Sequence, residues 1–372
     1  MESICCLSDR RSGCIRVNQL SQHCIECFAA DPAVLRLPRD ERRRVVYAQK
    51  KSCTSFEPGS LAWQANISLV EEAAVLCAFF VLMGGPLILF ATGFVCLLVG
   101  SWLSCLVWLA LVLVLAMHPL PDCAESLRQS WFALTLYKYF SYRFVWSNDD
   151  DLATQDLSSA WYGAGPPHGV LPLANLLSIP AINSFAFRPF VGAPASVVFH
   201  TPFLRYMTLF GAVDVSAKSM AKAAASGLCV GIVPDGIAGI FKNNESDEVV
   251  FLKNRKGLAK LALRTGTPIL PAYSVGNTAV FTAWFDPFGM MENLSRKAQA
   301  SVFFFWGRFY LPLPRRVNIT MLFGRPIVVE KVSEPTSEQI DALHAQYLRA
   351  IETLFETHKE ALGWGRKTLR FV

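Results

Sequence analysis

The chain has 372 residues, of which 52 % are hydrophobic and only 17 % charged, and its mean hydropathy is positive. Such a length buries a sizeable core, as one large domain or two ordinary ones, while so apolar a composition excludes a simple soluble enzyme. The formal charge of +6 is not gathered into a basic stripe with interleaved aromatics, so no nucleic acid is expected as a partner; it suits anionic lipid or a phosphate-bearing ligand.

Residues 1–60 are polar, rich in arginine and cysteine and without clear periodicity, and read as a partly disordered tail. The opening MESICCLSDRRSGC lacks a basic region followed by an apolar one, so no cleaved secretory signal is expected and the folded part should face a reducing compartment. Cysteines number eleven, an odd count, and six fall in the first 53 residues, which argues against a disulfide framework. The single CxxC of Cys24 and Cys27 lacks the paired spacing of a structural zinc site, so no metal is expected. Free thiols are the reading there, with Cys5 or Cys6 open to lipidation.

From Ala73 to Met117 there are 45 positions without a charge. One helix needs about 20 residues to cross ~30 Å of hydrocarbon, so this run, within residues 70–120, suits a helical hairpin that either spans the membrane or re-enters from one face. The stretch from Gly93 to Gly100-Ser101 offers the reversal, and Gly84-Gly85-Pro86 a kink in the first arm. Arginines at 42–44 precede the run and Arg128, Lys138 and Arg143 follow it, which puts both flanks, and both termini, on the cytosolic side.

The segment WYGAGPPHGVLPLAN (161–175) carries one titratable group, His168, between Pro166-Pro167 and Gly169. Prolines stiffen the turn and glycine lets it bend, so the imidazole is held where a proton can be taken and returned near neutral pH. By spacing alone it is either a general base or a turn histidine bonded to a nearby carbonyl.

Beyond it, SVVFH (196–200), LCVGIVPDG (228–236), PILPAYSVG (268–276) and VNITMLFGRPIVV (317–329) read as strands. AKSMAKAAAS (217–226) and NRKGLAKLALRT (254–265) read as helices between them, so residues 121–372 form an α/β domain, a sheet layered by helices. The aromatic stretch 279–316 is either core or a surface resting on the bilayer. Thr336 and Gln339 form a capping box, after which Ile340, Leu343, Tyr347, Ile351, Leu354, Phe355 and Leu362 recur at spacings of three and four, the pattern of a helix packed on the sheet.

Four elements in order, GPPHG (165–169), VPDGIAGIF (233–241), LKNRKGLAKLALRTGTPILPAYSVGN (252–277) and FGRPI (323–327), resemble the type-2 diacylglycerol acyltransferase family, which includes monoacylglycerol and wax-ester acyltransferases. The resemblance covers roughly residues 70–360. It implies a mixed central sheet flanked by helices, as in glycerolipid acyltransferases, and an enzyme moving an acyl group from long-chain acyl-CoA to diacylglycerol. No cofactor beyond that co-substrate is implied. The membrane of the endoplasmic reticulum is the expected location, the lipid droplet surface a second one, and a homo-oligomer stays open.

In that family the presumed catalytic histidine sits in an HPHG or EPHS tetrapeptide; here Pro166, Pro167, His168 and Gly169 stand in its place. The family's PGG is followed by two residues and a glutamate, whereas Pro234-Asp235-Gly236-Ile237-Ala238-Gly239 lacks that glutamate and gains an aspartate. Asp235 either takes over part of the carboxylate's work or is a surface-turn aspartate before Gly236, with activity weakened or altered; a non-catalytic hairpin protein of lipid droplets is the rival from another class. Asp214 and Asp235 are candidates to orient the imidazole. Lys253, Asn254, Arg255, Lys256 and Gly257, at a helix start, suit the phosphates of coenzyme A or form an ordinary solvated turn.

Overall fold

The computed structural model describes residues 16–19, 24–28, 64–128, 130–147, 159–184, 189–240, 247–284, 286, 288–298 and 303–372. Its centre is a mixed eight-stranded sheet. In chain order the strands are β1 (Arg16–Gln19), β2 (Cys24–Phe28), β3 (Arg143–Ser147), β4 (Tyr162–Ala164), β5 (Phe190–Gly192), β6 (Cys229–Ile232), β7 (Ile269–Val275) and β8 (Thr320–Phe323). They lie in the order β1-β2-β3-β8-β7-β4-β6-β5. The run β7, β4, β6 and β5 is parallel, β8 is antiparallel to β7 and parallel to β3, and β2 and β1 continue antiparallel at the edge. Two strands thus arise from the stretch read as a loose tail; residues 1–15, with Cys5 and Cys6, lie outside the described residues.

Strand β7 shows why the sheet sits where it does. All seven of its residues are buried, as a parallel strand covered on both faces requires. Leu270 and Ala272, with Met321 and Phe323 of β8, join the core under helix α5 (Leu173–Ser184; helices are numbered in chain order, and α1–α4 follow below). Their alternates Ile269, Tyr273, Val275 and Leu322 join the opposite core. There α6 (Ala217–Ala225), α7 (Gly257–Thr265) and α8 (Ser337–His358) cover the sheet. The expected capping box of α8 is present, and Leu343, Tyr347, Ile351, Leu354 and Phe355 are its buried stripe.

One expected strand is not there. SVVFH folds as a 3-10 turn over Ser196–Phe199, because Pro194 and Pro202 bracket too short a stretch to offer a ladder of donors, and Val197 and Val198 turn to a cavity instead. The aromatic stretch is partly packed and partly exposed. Phe281 and Phe305 meet edge to face at 5.5 Å in the interior, while Phe288, Phe304, Phe309 and Tyr310 stand exposed.

The apolar run begins inside the body. Helix α1 (Leu69–Phe79) opens on a Ser68–Glu71 capping box and buries Glu71, Val75 and Phe79 along one face. Glu71 pairs with Lys138 of α4 (Trp131–Tyr139) at 2.7 Å, and Glu72 with Arg308. A π-helical turn, Phe80–Gly84, occupies the expected kink. Helix α2 (Gly85–Val99) and helix α3 (Trp102–Met117) follow, joined at Gly100-Ser101. The reversal is therefore at Gly100-Ser101; Gly93 lies within α2, where a Cβ would strike the Trp108 ring packed against it. Trp108 Nε1 donates to Leu89 O at 3.1 Å across the two arms. Leu69–Val99 forms 31 continuous helical residues, long and apolar enough to cross a membrane, and beyond Gly85 most of its large side chains are exposed.

The exposed cap of α8 gives a test of the local reading. Thr336→Ala removes the acceptor for Gln339 N–H in the first turn and is expected to cost about 1 kcal/mol of stability. The measurement is a lower Tm in detergent micelles with an unchanged circular dichroism spectrum below the transition.

Candidate active site

Adjacent parallel strands end at the same side of a sheet, and the loops that leave them meet there. Ala164 of β4 is opposite Ile232 of β6, so the loops carrying His168 and Asp235 leave together. The backbone N–H of His168 donates to Asp235 Oδ2 at 3.0 Å. Strand β7 ends beside them and supplies Ser274, and the turn that follows it supplies Asn277.

A loop containing Pro166 and Pro167 has two fewer N–H groups than carbonyls, so its oxygens need donors from elsewhere. Asn175 Nδ2 reaches Gly165 O at 2.9 Å, and Ser274 N–H reaches Pro166 O at 2.7 Å. Asn277 Nδ2 serves Pro167 O at 3.3 Å and His168 O at 2.6 Å, while its Oδ1 accepts from Ala174 N–H at 3.1 Å. The Pro166–Pro167 peptide is cis and Gly169 has φ +60°. A side chain at 169 would be strained by that φ and would meet Asn277 at 3.0 Å, so glycine is required on both counts.

The imidazole is held by its own chain. Nδ1 lies 2.8 Å from Gly169 O, and since a carbonyl only accepts, Nδ1 carries the proton. Nε2 is left with its lone pair, and the ring lines a cavity of about 430 Å³. Burial lowers the histidine's pKa, opposed by the Gly169 carbonyl, so the neutral form prevails at physiological pH. The cavity is walled by hydrocarbon: Met83, Pro86 and Leu87 from the base of the hairpin, Leu176 and Ile179 from α5, and Phe303 and Phe305 opposite.

Asp235 is fully buried, not a residue of a surface turn. Burial pushes its carboxyl up to about 7, against the His168 N–H and the Arg255 charge, which favour the anion. Its second oxygen, Oδ1, has no hydrogen-bond partner among the described residues. A side chain at Gly239 would collide with this carboxylate. The family pattern has glycine where Asp235 stands and glutamate where Gly239 stands, so here the acidic group has moved to the other position and fills the space the glutamate stem would need. Asp214 is bonded to Ser196 and Ser216 rather than to the imidazole.

The basic loop lies apart from the cavity. Lys253 N–H bonds Val372 O, Arg255 stacks 5.3 Å above the Phe251 ring, and Lys256 pairs with Asp341 at 2.6 Å. Lys253, Asn254, Arg255 and Gly257 are exposed, and the loop's link to the histidine is the Arg255 charge acting on Asp235. Asn175, Ser274 and Asn277, which hold the histidine loop, are absent from the sequence-derived site. Ser274 and Asn277 lie in LPAYSVGN, and the shortage of amides in a Pro-Pro turn was the signal that could have found them.

A family model described as diacylglycerol acyltransferase matches residues 95–371. The chain belongs to that family. Diacylglycerol O-acyltransferase 2-like protein 6 of Bos taurus is 30 % identical over 262 residues, 63 % of this chain and 77 % of the relative. Human 2-acylglycerol O-acyltransferase 3 is 30 % identical over 217 residues, 53 % of this chain and 64 % of the relative. Among solved structures, the 1-acyl-sn-glycerophosphate acyltransferase PlsC of Thermotoga maritima aligns with a TM-score of 0.37 at 11 % identity, covering 77 % of this chain and 96 % of that one.

Two outcomes follow for the acyltransferase. Asp235→Gly is expected to weaken acyl transfer and lower Tm by leaving His168 N–H unpartnered, and Gly239→Glu alone to lower Tm by collision. Asp235→Gly with Gly239→Glu should recover most of both losses, measured by microsomal assay and thermal unfolding. The second outcome is a pH slope. Asp235 binds its proton more tightly folded, at about 7, than at its ordinary 3.8, so its stabilisation is complete below pH ~4 and is lost as pH rises through 7. Asp235→Asn keeps an acceptor for His168 N–H and removes that slope, so its Tm relative to the wild type should climb between pH 5 and pH 8.

Proposed function

We propose that this acyltransferase moves a long-chain acyl group from acyl-CoA to the free hydroxyl of diacylglycerol, with His168 as general base. The observation that carries the reading is a neutral imidazole, with no partner for Nε2 among the described residues, on the wall of a hydrocarbon-lined cavity that reaches the base of the apolar hairpin. Nε2 takes the hydroxyl proton as the alcohol oxygen attacks the thioester carbonyl. The tetrahedral intermediate then expels the thiolate, and the imidazolium returns the proton to sulfur. Gly236 N–H is engaged by Val233 O and the Asp235 carboxyl. Gly169 N–H is the donor this reading assigns to the oxyanion.

The loop of Lys253, Asn254, Arg255, Lys256 and Gly257 is the proposed contact for the coenzyme A phosphates, through its exposed Lys253 and Arg255 and the amides opening α7. Helices α2 and α3 have 15 and 16 residues, about 22–24 Å of helix against a hydrocarbon thickness of ~30 Å. A re-entrant hairpin fits these lengths better than two spans. It keeps both flanks on one side, the cytosolic face of the endoplasmic reticulum, and is compatible with a droplet monolayer.

The relative named for 2-acylglycerol matches at the same identity as the one named for diacylglycerol, so monoacylglycerol is the second reading, with long-chain and sterol alcohols beside it in an acceptor panel. His168→Ala, in microsomes of a host lacking storage-lipid synthases, is expected to cut triacylglycerol formation from labelled oleoyl-CoA and diacylglycerol by about 10²-fold or more. Unchanged synthesis would remove His168 from the mechanism. Because the unprotonated ring is required and its pKa is lowered, wild-type activity should stay level as pH falls to 6.5 and decline only below it.

A further inference from the structure

A second cavity, of about 470 Å³, lies beside the first. Leu176 of α5 and Met207 line both, so two side chains form the partition. Met207 has an unbranched, adaptable side chain, the kind of wall that can move aside for a ligand. The other walls are Phe79 at the end of α1, Leu82 of the π-helical turn, Leu136 of α4 and the chain around Phe203. Polar side chains are nearly lacking there. The Tyr206 hydroxyl lies 3.2 Å from His118 Nε2 and is already engaged, and the remaining polar side chain is the thiol of Cys77. A water needs two to four polar partners to be held in a cavity, and this one provides no such set among the described residues, so its occupant is hydrocarbon.

The position of the mouth narrows the occupant further. Cys77, Phe80 and Val81 are exposed at the turn where the helix leaves the body for α2. A hydrocarbon chain lying in the bilayer around α2 and α3 therefore meets this opening without crossing water. Coenzyme A comes from the aqueous phase and its thioester must stand at His168, in the first cavity. We propose that the second cavity is an acceptor subsite, which holds one fatty chain of the acylglycerol, a chain that is not transferred, while the free hydroxyl enters the His168 cavity past Leu176 and Met207. The proposal rests on the acyl-transfer reading above and adds to it a place for a fatty chain that stays on the acceptor.

Ala78 lines the second cavity and not the first. Ala78→Trp should fill it. With oleoyl-CoA as donor, the variant is expected to lose about tenfold or more in kcat/KM for diacylglycerol, as a few unburied methylenes would cost, while transfer to a single-chain long-chain alcohol stays within about twofold. An equal fall for both acceptors, or no change for either, overturns the subsite. A second measurement uses the wild-type protein. Diacylglycerol with a diazirine at mid-chain in one acyl group should crosslink to residues 77–82 and 203–210; adducts confined to 190–198 and 303–305 would overturn the proposal. Wild-type protein that esterifies no acceptor would refute the acyl-transfer reading instead, and the crosslink would still decide whether the cavity takes a chain.

Discussion

Backbone oxygens without local donors are the constraint on which this site depends. Gly165, Pro166, Pro167 and His168 present four carbonyls in a turn with two prolines, and a buried carbonyl left unbonded costs about as much as a lost hydrogen bond. Asn175, Ser274 and Asn277 bond all four. These donors come from α5 and from the end of β7, so the turn can close only when sheet and helix are already packed. The imidazole then needs no carboxylate to orient it, since the carbonyl one residue on fixes its tautomer.

The same packing sets the site's depth. Helix α1 carries Glu71 and Glu72 into pairs with Lys138 and Arg308, and buries Val75 and Phe79 beneath them. Both pairs are largely withdrawn from solvent, so desolvation offsets much of their Coulombic gain; the buried face does most of the anchoring and the pairs set the register. The hairpin that follows is thereby fixed to the body, and Met83, Pro86 and Leu87 close one side of the histidine cavity. On the acyl-transfer reading proposed above, an apolar acceptor reaches His168 because one wall of its cavity is also the stem of the apolar hairpin.

What the sequence made legible was whatever local rules control. The capping box and stripe of α8, the buried run of β7 and the charge-free stretch of the hairpin each follow from spacing and composition, and each is present. His168 could be singled out because proline and glycine constrain its backbone locally. The 3-10 turn at Ser196–Phe199 was hidden because β-branched residues favour strands only where a ladder exists to join. Strands β1 and β2 were hidden for the converse reason: β2 pairs with β3, more than a hundred residues away, and β1 joins only β2 at the sheet edge, so neither strand is specified by its local sequence. Asp235 looked like a turn aspartate because nothing in PDG tells whether the turn points outward or under a neighbouring loop.

The aspartate is also where departure from the family pattern becomes intelligible. A carboxylate lost at 239 and gained at 235 look like two independent changes in the sequence, yet their side chains compete for one volume, since any Cβ at Gly239 meets the Asp235 carboxylate. Glycine at 239 is thus the condition for aspartate at 235. A shorter stem starting from the strand end brings Oδ2 under the backbone amide of His168 and leaves Oδ1 without a partner among the described residues. Burial raises the carboxyl to about 7 against the His168 amide, which favours the anion, and one oxygen becomes the anchor of the turn. An acid so placed acts on the peptide plane of His168 and not on its ring, and through that plane it sets where Nε2 points.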